Sequence, residues 1–325
     1  MPKHLYVMDP LEKVDPKGDT TFDFLLEGQS RSVENWVCAI ADLYSVGRHG
    51  FARARRVEVK RPENENDAHC EFFEEKDIGF DECAVVWMRK DPPTDEKFIL
   101  ATHIMDRHND KKTLMMNRPS SLRVADEKLW ALFADEIGPR TVVSARSDVL
   151  IAEVTRLGKA VVKPVGRAGG AGVMAFDKDD KNLKAAVDLL TEDSTRPAIV
   201  QAYLPDVRKG DKRVILIGGK PVAAVLRVPQ GDDHRSNMHV GGTVEQADLN
   251  DNDRRICERL GPKLLELGLH FVGIDVIGGV LTEVNVTSPT GVQEIDVLDK
   301  REGSTRISAQ LFDYIDATIE AMRGK

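Results

Sequence analysis

Glu283 and Asn285 stand two apart in the apolar segment Val280–Val286. On a strand, side chains at that spacing leave the same face. Two hard oxygen donors on one face suit a divalent cation such as Mg²⁺ carrying nucleotide phosphates. Asp275 lies eight positions before Glu283, across Gly278-Gly279. A two-residue turn at those glycines pairs Asp275 with Thr282 and sends its carboxylate to the opposite face. A three-residue loop, or a bulge, pairs Asp275 with Glu283 and completes the cluster. The cation reading requires the second connection; with the first, the acids are the polar half of an alternating strand. Ile274, Val276, Leu281, Val284 and Val286 are all apolar, so the hairpin is covered on at least one side.

Lys163-Pro164 ends an apolar run and is followed by the glycine-rich stretch Gly166–Gly172. A lysine beside glycines whose amides can approach closely makes a phosphate cradle. The stretch is neither GxxxxGK[ST] nor GxGxxG, and on its own it reads as a glycine-rich hairpin turn. Gln201-Ala202-Tyr203-Leu204 closes another apolar run before Pro205, where bare strand-end backbone could meet an adenine edge. Pro229–Thr243 is a run of fifteen residues without apolar periodicity, containing Gly231, Gly241, Gly242 and Arg235. Inside a compact domain such a run is more often a functional lid than filler. His234 and His239 lie within it, but no third ligand accompanies them, so a metal site there is rejected. Arg89-Lys90-Asp91 follows the apolar run Ala84–Met88 and is halted by Pro92-Pro93. This is either a ligand-contacting strand end of an open α/β sheet or an ordinary charged loop.

Elements that could position these groups alternate between short apolar runs and amphipathic helical ones, which argues for an α/β or α+β fold. Strands are expected at Leu5–Met8, Val37–Leu43, Arg53–Lys60, Ala84–Met88 and Leu114–Met116. Helices are expected at Thr21–Glu34, Asp95–Arg107 and Asp126–Ile137, with Pro62–Asp81 a solvated loop or edge segment. Later come strands at Ala160–Val165, Gly172–Phe176 and Ala198–Leu204, and helices at Asn182–Leu190, Leu249–Leu267 and Arg306–Met322. Gly218-Gly219-Lys220 and Gly278-Gly279 each join two strands as hairpins. A domain boundary is expected near residue 120.

The chain has 325 residues, about two domains' worth, with 41% hydrophobic and 31% charged residues. Its 54 acidic and 46 basic residues give a net charge of −8 without a basic block, against nucleic-acid binding. No apolar run approaches the roughly 20 residues that span a bilayer. The first residues lack the apolar stretch of a secretory signal, and a cytoplasmic location is expected. Four cysteines, at positions 38, 70, 83 and 257, form no CxxC pair and read as free thiols in a reducing compartment.

Taken together, the motifs resemble the prokaryotic glutathione synthetases of the ATP-grasp superfamily over almost the whole chain. The resemblance is carried by Val7-Met8-Asp9-Pro10, Met88-Arg89-Lys90-Asp91-Pro92-Pro93, Asn117-Arg118-Pro119 and Glu127-Lys128-Leu129. It continues through Lys163-Pro164, Gly169-Gly170, Tyr203-Leu204-Pro205, Gly210-Asp211-Lys212-Arg213 and Arg227-Val228-Pro229-Gln230-Gly231. Phe271–Asp275 and Thr282–Thr290 complete it. Single motifs of this set are weak, but their order and spacing are highly specific.

The resemblance implies an N-terminal α/β substrate domain (residues 1–120) and an ATP-grasp region (121–325). Within the latter it implies a smaller nucleotide-covering part (121–200) and a catalytic part (201–325) with the lid at 229–243. It implies an ATP-dependent ligation of γ-glutamylcysteine to glycine through an acyl phosphate, giving glutathione, ADP and phosphate. Lys128 and Lys163 would contact ATP phosphates, Gly169, Gly170 and Asp211 would also bind the nucleotide, and Gln201, Ala202, Tyr203 and Leu204 would form the adenine-side hinge. Asp275, Glu283 and Asn285 would hold Mg²⁺, with Mn²⁺ as a substitute. Arg213 and Arg227 would face the transferred phosphoryl group or the substrate carboxylate, Arg235 would reach the acyl phosphate, and Ser288 and Arg89 would face the dipeptide. The expected partners are these small molecules, without nucleic acid or membrane, in a homo-oligomer. The alternatives are a related carboxylate–amine ligase with another peptide or amine, and a regulatory nucleotide-binding protein without catalysis. The latter is disfavoured by the complete metal-ligand set. The chain departs from the family at three points: Gly166-Arg167 replaces Asp-Gly, Thr243 stands where the lid ends in arginine, and Gln293 takes a position often held by arginine.

Overall fold

The computed structural model describes residues 1–64, 67–166, 169–229 and 243–324, arranged as three sheets. The first contains β1 (Lys3–Met8), β2 (Glu34–Cys38), β3 (Leu43–Val46), β4 (His49–Val59), β5 (Cys70–Gly79), β6 (Val85–Arg89) and β7 (Leu114–Met116). Its order is β3-β4-β2-β1-β6-β7, with β5 on the far side of β4. β2, β1, β6 and β7 run parallel, and α1 (Thr20–Ser30) and α2 (Glu96–Met105) make the crossovers. Both helices begin on an aspartate cap: Asp19 accepts from the Phe22 amide at 2.6 Å and Asp95 from the Phe98 amide at 3.0 Å.

Three expected elements are cut short by local hydrogen bonds. Val37–Leu43 is not one strand, because the Asp42 carboxylate accepts the Ala39 amide at 2.9 Å and folds 40–42 into a 3₁₀ turn between β2 and β3. α1 ends at Ser30 rather than Glu34; Ser32 takes a left-handed φ of +59° and the Val33 amide returns to Gly28 O at 2.9 Å. Asp126–Ile137 is likewise not one helix. Asp126 Oδ1 accepts the amides of Lys128 and Leu129, making a turn, and a 3₁₀ helix follows at Trp130–Ile137. A short helix not foreseen, α3 (Pro119–Val124), precedes that turn. Pro62–Asp81 contains the edge strand β5, whose charged, mostly exposed side chains hid its pairing with β4.

The second sheet is antiparallel in the order β10-β9-β11-β8. It is built from β8 (Thr141–Ser144), β9 (Lys159–Pro164), β10 (Met174–Asp177) and β11 (Ala198–Ala202). α4 (Ser147–Leu157) and α5 (Leu183–Leu190) cover one face, burying Leu150, Val154, Ala160, Val162, Val187 and Val200 in a core of their own.

The third sheet has the order β14-β13-β12-β15-β16. Its strands are β12 (Asp211–Ile217), β13 (Lys220–Val228), β14 (Thr243–Gln246), β15 (Phe271–Ile277) and β16 (Val280–Asn285). α6 (Asp251–Glu266), α7 (Val292–Leu298) and α8 (Ile307–Arg323) pack around it. Ile307, Leu311, Phe312, Ile315 and Ile319 form the buried stripe of α8. This sheet shares its cores with the first one: Leu5, Met88, Val214, Ile274 and Val284 belong to one cluster, and Tyr6, Trp87, Phe271 and Phe312 to another. Asn117, at the end of β7, stitches the two sheets together. Its amide nitrogen donates to Phe271 O and Val286 O, both at 2.8 Å, and its oxygen accepts the amides of His270 and Phe271. A buried amide satisfied four times over fixes where β15 begins and β16 ends. Among the described residues no helix is long and apolar enough to cross a membrane.

Candidate active site

Strand register across the third sheet assembles one row of charge. Arg213 on β12 stands opposite Asp275 on β15, and Asp275 opposite Glu283 on β16, while Asp211 stands opposite Arg227 on β13. Gly278 and Gly279 form a two-residue turn with left-handed φ of +57° and +80°. That turn alone would misalign the acids. The register slips between Asp275 and Val276, leaving Thr282 as the extra residue of a bulge, its hydroxyl donating to Asp275 O at 3.1 Å. The bulge brings Asp275 onto the face of Glu283 and Asn285, the connection that a cation site requires. The opposite face, with Val214, Ile274 and Val284, is buried in the core.

The carboxylate of Asp275 is the hub. Arg213 donates to it through Nε at 2.6 Å and Nη2 at 3.2 Å, Arg227 Nη2 lies at 2.9 Å, and Asn285 Nδ2 donates at 3.2 Å. Burial disfavours its charge, but the two guanidinium groups hold its pKa well below the usual carboxylate range. Arg227 Nη2 also donates to Asp211 Oδ2 at 2.6 Å. Burial pushes the Asp211 carboxyl up to about 6, against the attraction of Arg227. Burial works against the Arg227 charge too, and Asp211 and Asp275 together keep its pKa above the ordinary arginine value.

Lys128, in the turn formed by Asp126, reaches across to Glu283 Oε1 at 2.7 Å. Burial opposes its charge, yet Glu283 holds its pKa above the usual lysine value. Lys163 alternates with the core-facing Val162 and Pro164 of β9, so it leaves the opposite face of the second sheet. Its Nζ donates to Gln201 Oε1 at 2.6 Å, and Gln201 Nε2 to Thr141 Oγ1 at 3.1 Å. Burial lowers the Lys163 pKa.

These groups line one cavity of about 450 Å³ between the second and third sheets. Lys128, Lys163, Gly169, Gly170, Gln201, Ala202, Tyr203, Leu204, Asp211, Arg213, Arg227, Asp275, Glu283 and Asn285 all border it. Val161, Phe176, Val207 and Ile277 give it an apolar wall beside the 201–204 segment, suited to a flat base. Among the described residues its four cations and three carboxylates nearly cancel, so a triphosphate brought there would be better neutralised with a further cation. Asp275, Glu283 and Asn285 are hard oxygen donors on one face, and that donor set fits an Mg²⁺-type ion. Among the described residues no three His, Cys, Asp or Glu side chains cluster as ligands; the donor set here is two carboxylates and the Asn285 amide.

Arg89 and Ser288 do not border this cavity. Arg89 is buried, 4% exposed, with Nε on Thr21 Oγ1 at 3.0 Å and Nη2 on Pro289 O at 3.2 Å, between the rings of Phe24 and Phe271. Ser288 Oγ lies 3.5 Å from Arg89 O, so the two meet each other. Arg235, Arg167, His234, His239 and the lid expectation for 229–243, apart from its two end residues, lie outside the described residues. Sequence reasoning assigned no task to Glu127, which accepts the amides of Val286 and Thr287 at 3.1 and 3.2 Å and the Thr287 hydroxyl at 2.7 Å. Burial, and then the Glu283 charge, raise its pKa.

Comparison with known proteins matches the same regions. Residues 3–123 match the family described as "Prokaryotic glutathione synthetase, N-terminal domain", and residues 127–300 "Prokaryotic glutathione synthetase, ATP-grasp domain". A glutathione synthetase of Synechococcus elongatus is 42% identical over 91% of this chain and 94% of its own length. One from Escherichia coli is 39% identical over 97% and 98%. Among solved structures, a D-cycloserine synthetase superimposes with a TM-score of 0.65 at 15% identity, covering 98% of this chain and 99% of its own. The ATP-grasp ligase PsnB, with its minimal precursor, gives 0.62 at 19%, covering 98% of each; both likenesses concern the fold.

Proposed function

The chain belongs to the prokaryotic glutathione synthetases and is an ATP-grasp ligase of glutathione synthesis using ATP and a divalent metal ion, and we propose that the cavity joining Lys128, Lys163 and the Asp275 row is where it works. The observation carrying this reading is the row itself: Arg227, Asp211, Arg213, Asp275 and Glu283 delivered to one face by register and one bulge. We assign residues 1–120 to the substrate side and 121–325 to the ATP-grasp side, with 121–200 covering the nucleotide.

In this reading Lys128 and Lys163 meet the triphosphate as point charges from two directions. The backbone of Gln201–Leu204 and the apolar wall take the base. Asp275, Glu283 and Asn285 hold the cation, assigned as Mg²⁺ from the all-oxygen donors. The cation held there would supply positive charge to neutralise phosphate oxygens. The γ-phosphoryl group passes to the carboxylate of γ-glutamylcysteine and ADP leaves. The amine of glycine then attacks the acyl carbon, the P-bearing oxygen departs as phosphate, and the amine loses a proton. Arg213 and Arg227 stabilise the charge gathering on the transferred group. Four free cysteines support placing the enzyme in a reducing cytoplasm.

Mass spectrometry of the product from γ-glutamylcysteine, glycine and MgATP tests the reading. The expected product is glutathione with one ADP per peptide. Preference for β-alanine or serine over glycine would move the chain to another ligase of the same fold, and ATP binding without turnover would remove the catalytic assignment.

A further inference from the structure

β16 carries two of the proposed metal ligands, and it is the outermost strand of its sheet. An edge strand is held by hydrogen bonds on one side alone, and its other amides need a partner. Glu127 supplies that partner. Its main-chain oxygen accepts the Val284 amide at 3.0 Å, and its carboxylate Oε1 accepts the Val286 and Thr287 amides and the Thr287 hydroxyl. The bonded amides alternate with Glu283 and Asn285, whose side chains face the cavity. One residue thus fixes the backbone on both sides of Asn285 and immediately after Glu283. The next residue, Lys128, bonds the Glu283 carboxylate itself.

A carboxylate placed beside the Glu283 charge is a costly way to satisfy two amides and a hydroxyl. A strand end that merely had to be covered could leave those amides to water. The arrangement makes sense where Asn285 must be held to within a fraction of an ångström, which is what octahedral Mg²⁺ demands of its ligands. We propose that Glu127 is a positioning residue of the metal site, holding Glu283 and Asn285 in ligating geometry through the amides of residues 284, 286 and 287. The inference rests on the metal-site reading above.

The test measures Mn²⁺ binding by electron paramagnetic resonance, with a non-hydrolysable ATP analogue present, for the whole chain and four variants. Glu127→Ala should weaken Mn²⁺ at least tenfold and raise the Mg²⁺ concentration for half-maximal turnover in parallel. Affinity for the analogue without metal should change less than threefold. Glu127→Gln keeps an oxygen acceptor and should return Mn²⁺ affinity to within threefold of the parent. Thr287→Val removes one of the three bonds and should fall between them, keeping the question open to measurement if Glu127→Ala does not fold. Unchanged Mn²⁺ affinity in Glu127→Ala and Thr287→Val would overturn the proposal, as would a loss that glutamine fails to restore. Glu283→Gln separates the two readings. If it leaves Mn²⁺ binding intact, the metal site itself is misassigned; if it abolishes binding while Glu127→Ala does not, the positioning role alone fails.

Discussion

Arg213 grips Asp275 with both arms of its guanidinium, Nε on Oδ1 at 2.6 Å and Nη2 on Oδ2 at 3.2 Å. With Arg227 on Oδ1 and Asn285 on Oδ2, each oxygen of Asp275 already receives two partners. A carboxylate has about four lone-pair sites, so a cation entering alone must displace either the Asn285 amide or an arginine from a buried pair. Phosphate oxygens offer those arginines an alternative. Mn²⁺ without nucleotide should therefore bind at least tenfold more weakly than Mn²⁺ with an ATP analogue. Equal affinity in the two titrations would show that Asp275 is free to ligate from the start.

Glu283→Gln removes one charge from the site and leaves the shape almost unchanged. Leu281 and Val284, which anchor β16 in the core, are untouched, so unfolding should shift by no more than about 1 kcal/mol. Turnover should fall by about a hundredfold or more, the scale for losing one electrostatic stabiliser. Near-parental turnover with normal Mg²⁺ dependence would remove Glu283 from the ligand set.

Lys163 makes a pH prediction. Burial lowers its pKa below the ordinary 10.5 in the empty cavity, and triphosphate oxygens would raise it again. The bound form thus favours the protonated lysine. ATP affinity should fall as pH rises through the lowered value, and between that value and 10.5 binding should take up protons. Lys128, already held above the usual value by Glu283, should contribute no such uptake. Calorimetry in two buffers of different ionisation enthalpy reads the proton count. Lys163→Met should abolish the buffer dependence and weaken ATP by about 1.5–3 kcal/mol. A buffer dependence that survives in this variant belongs to another group.

The parts of the site that sequence could reveal are those set by local rules. The Gly278-Gly279 hairpin, the two-residue spacing of Glu283 and Asn285, and the need for either a three-residue loop or a bulge to align Asp275 all follow from strand geometry; the structure takes the bulge. Lys163 and Gln201 were each visible at strand ends, though their 2.6 Å bond was not. Glu127 and Asn117 carried no local signal, because their partners are main-chain groups about 150 positions away. α4, α7, β8 and β14 also went unread. β14 and β8 are four-residue strands with no fully buried residue, so no apolar alternation marks them. The edge strand β5 was legible only as a loop or edge segment, since both its faces carry charge.

Gln293, where the family resemblance leads one to expect arginine, sits against a guanidinium from elsewhere. Arg61, just beyond β4, donates through Nη1 to Gln293 Oε1 at 2.7 Å and through Nη2 to the buried Asp23 at 2.8 Å. Arg306 donates to both oxygens of Asp23 as well, at 2.6 and 2.7 Å. The contact joins α1, α7 and the loop after β4, so its loss should act on stability. Arg61→Gln should cost about 1 kcal/mol, small because Arg61 is half-exposed and Arg306 still pairs with Asp23. Gln293→Arg alone sets two guanidinium groups side by side and should also destabilise. Together they place one guanidinium and one amide in the same pocket from exchanged positions, and the double variant should approach the parent. Thermal midpoints for all four proteins give the coupling, expected at about 1 kcal/mol or more and opposite in sign to the single losses. Additive losses would show that Arg61 does not stand in for an arginine at position 293.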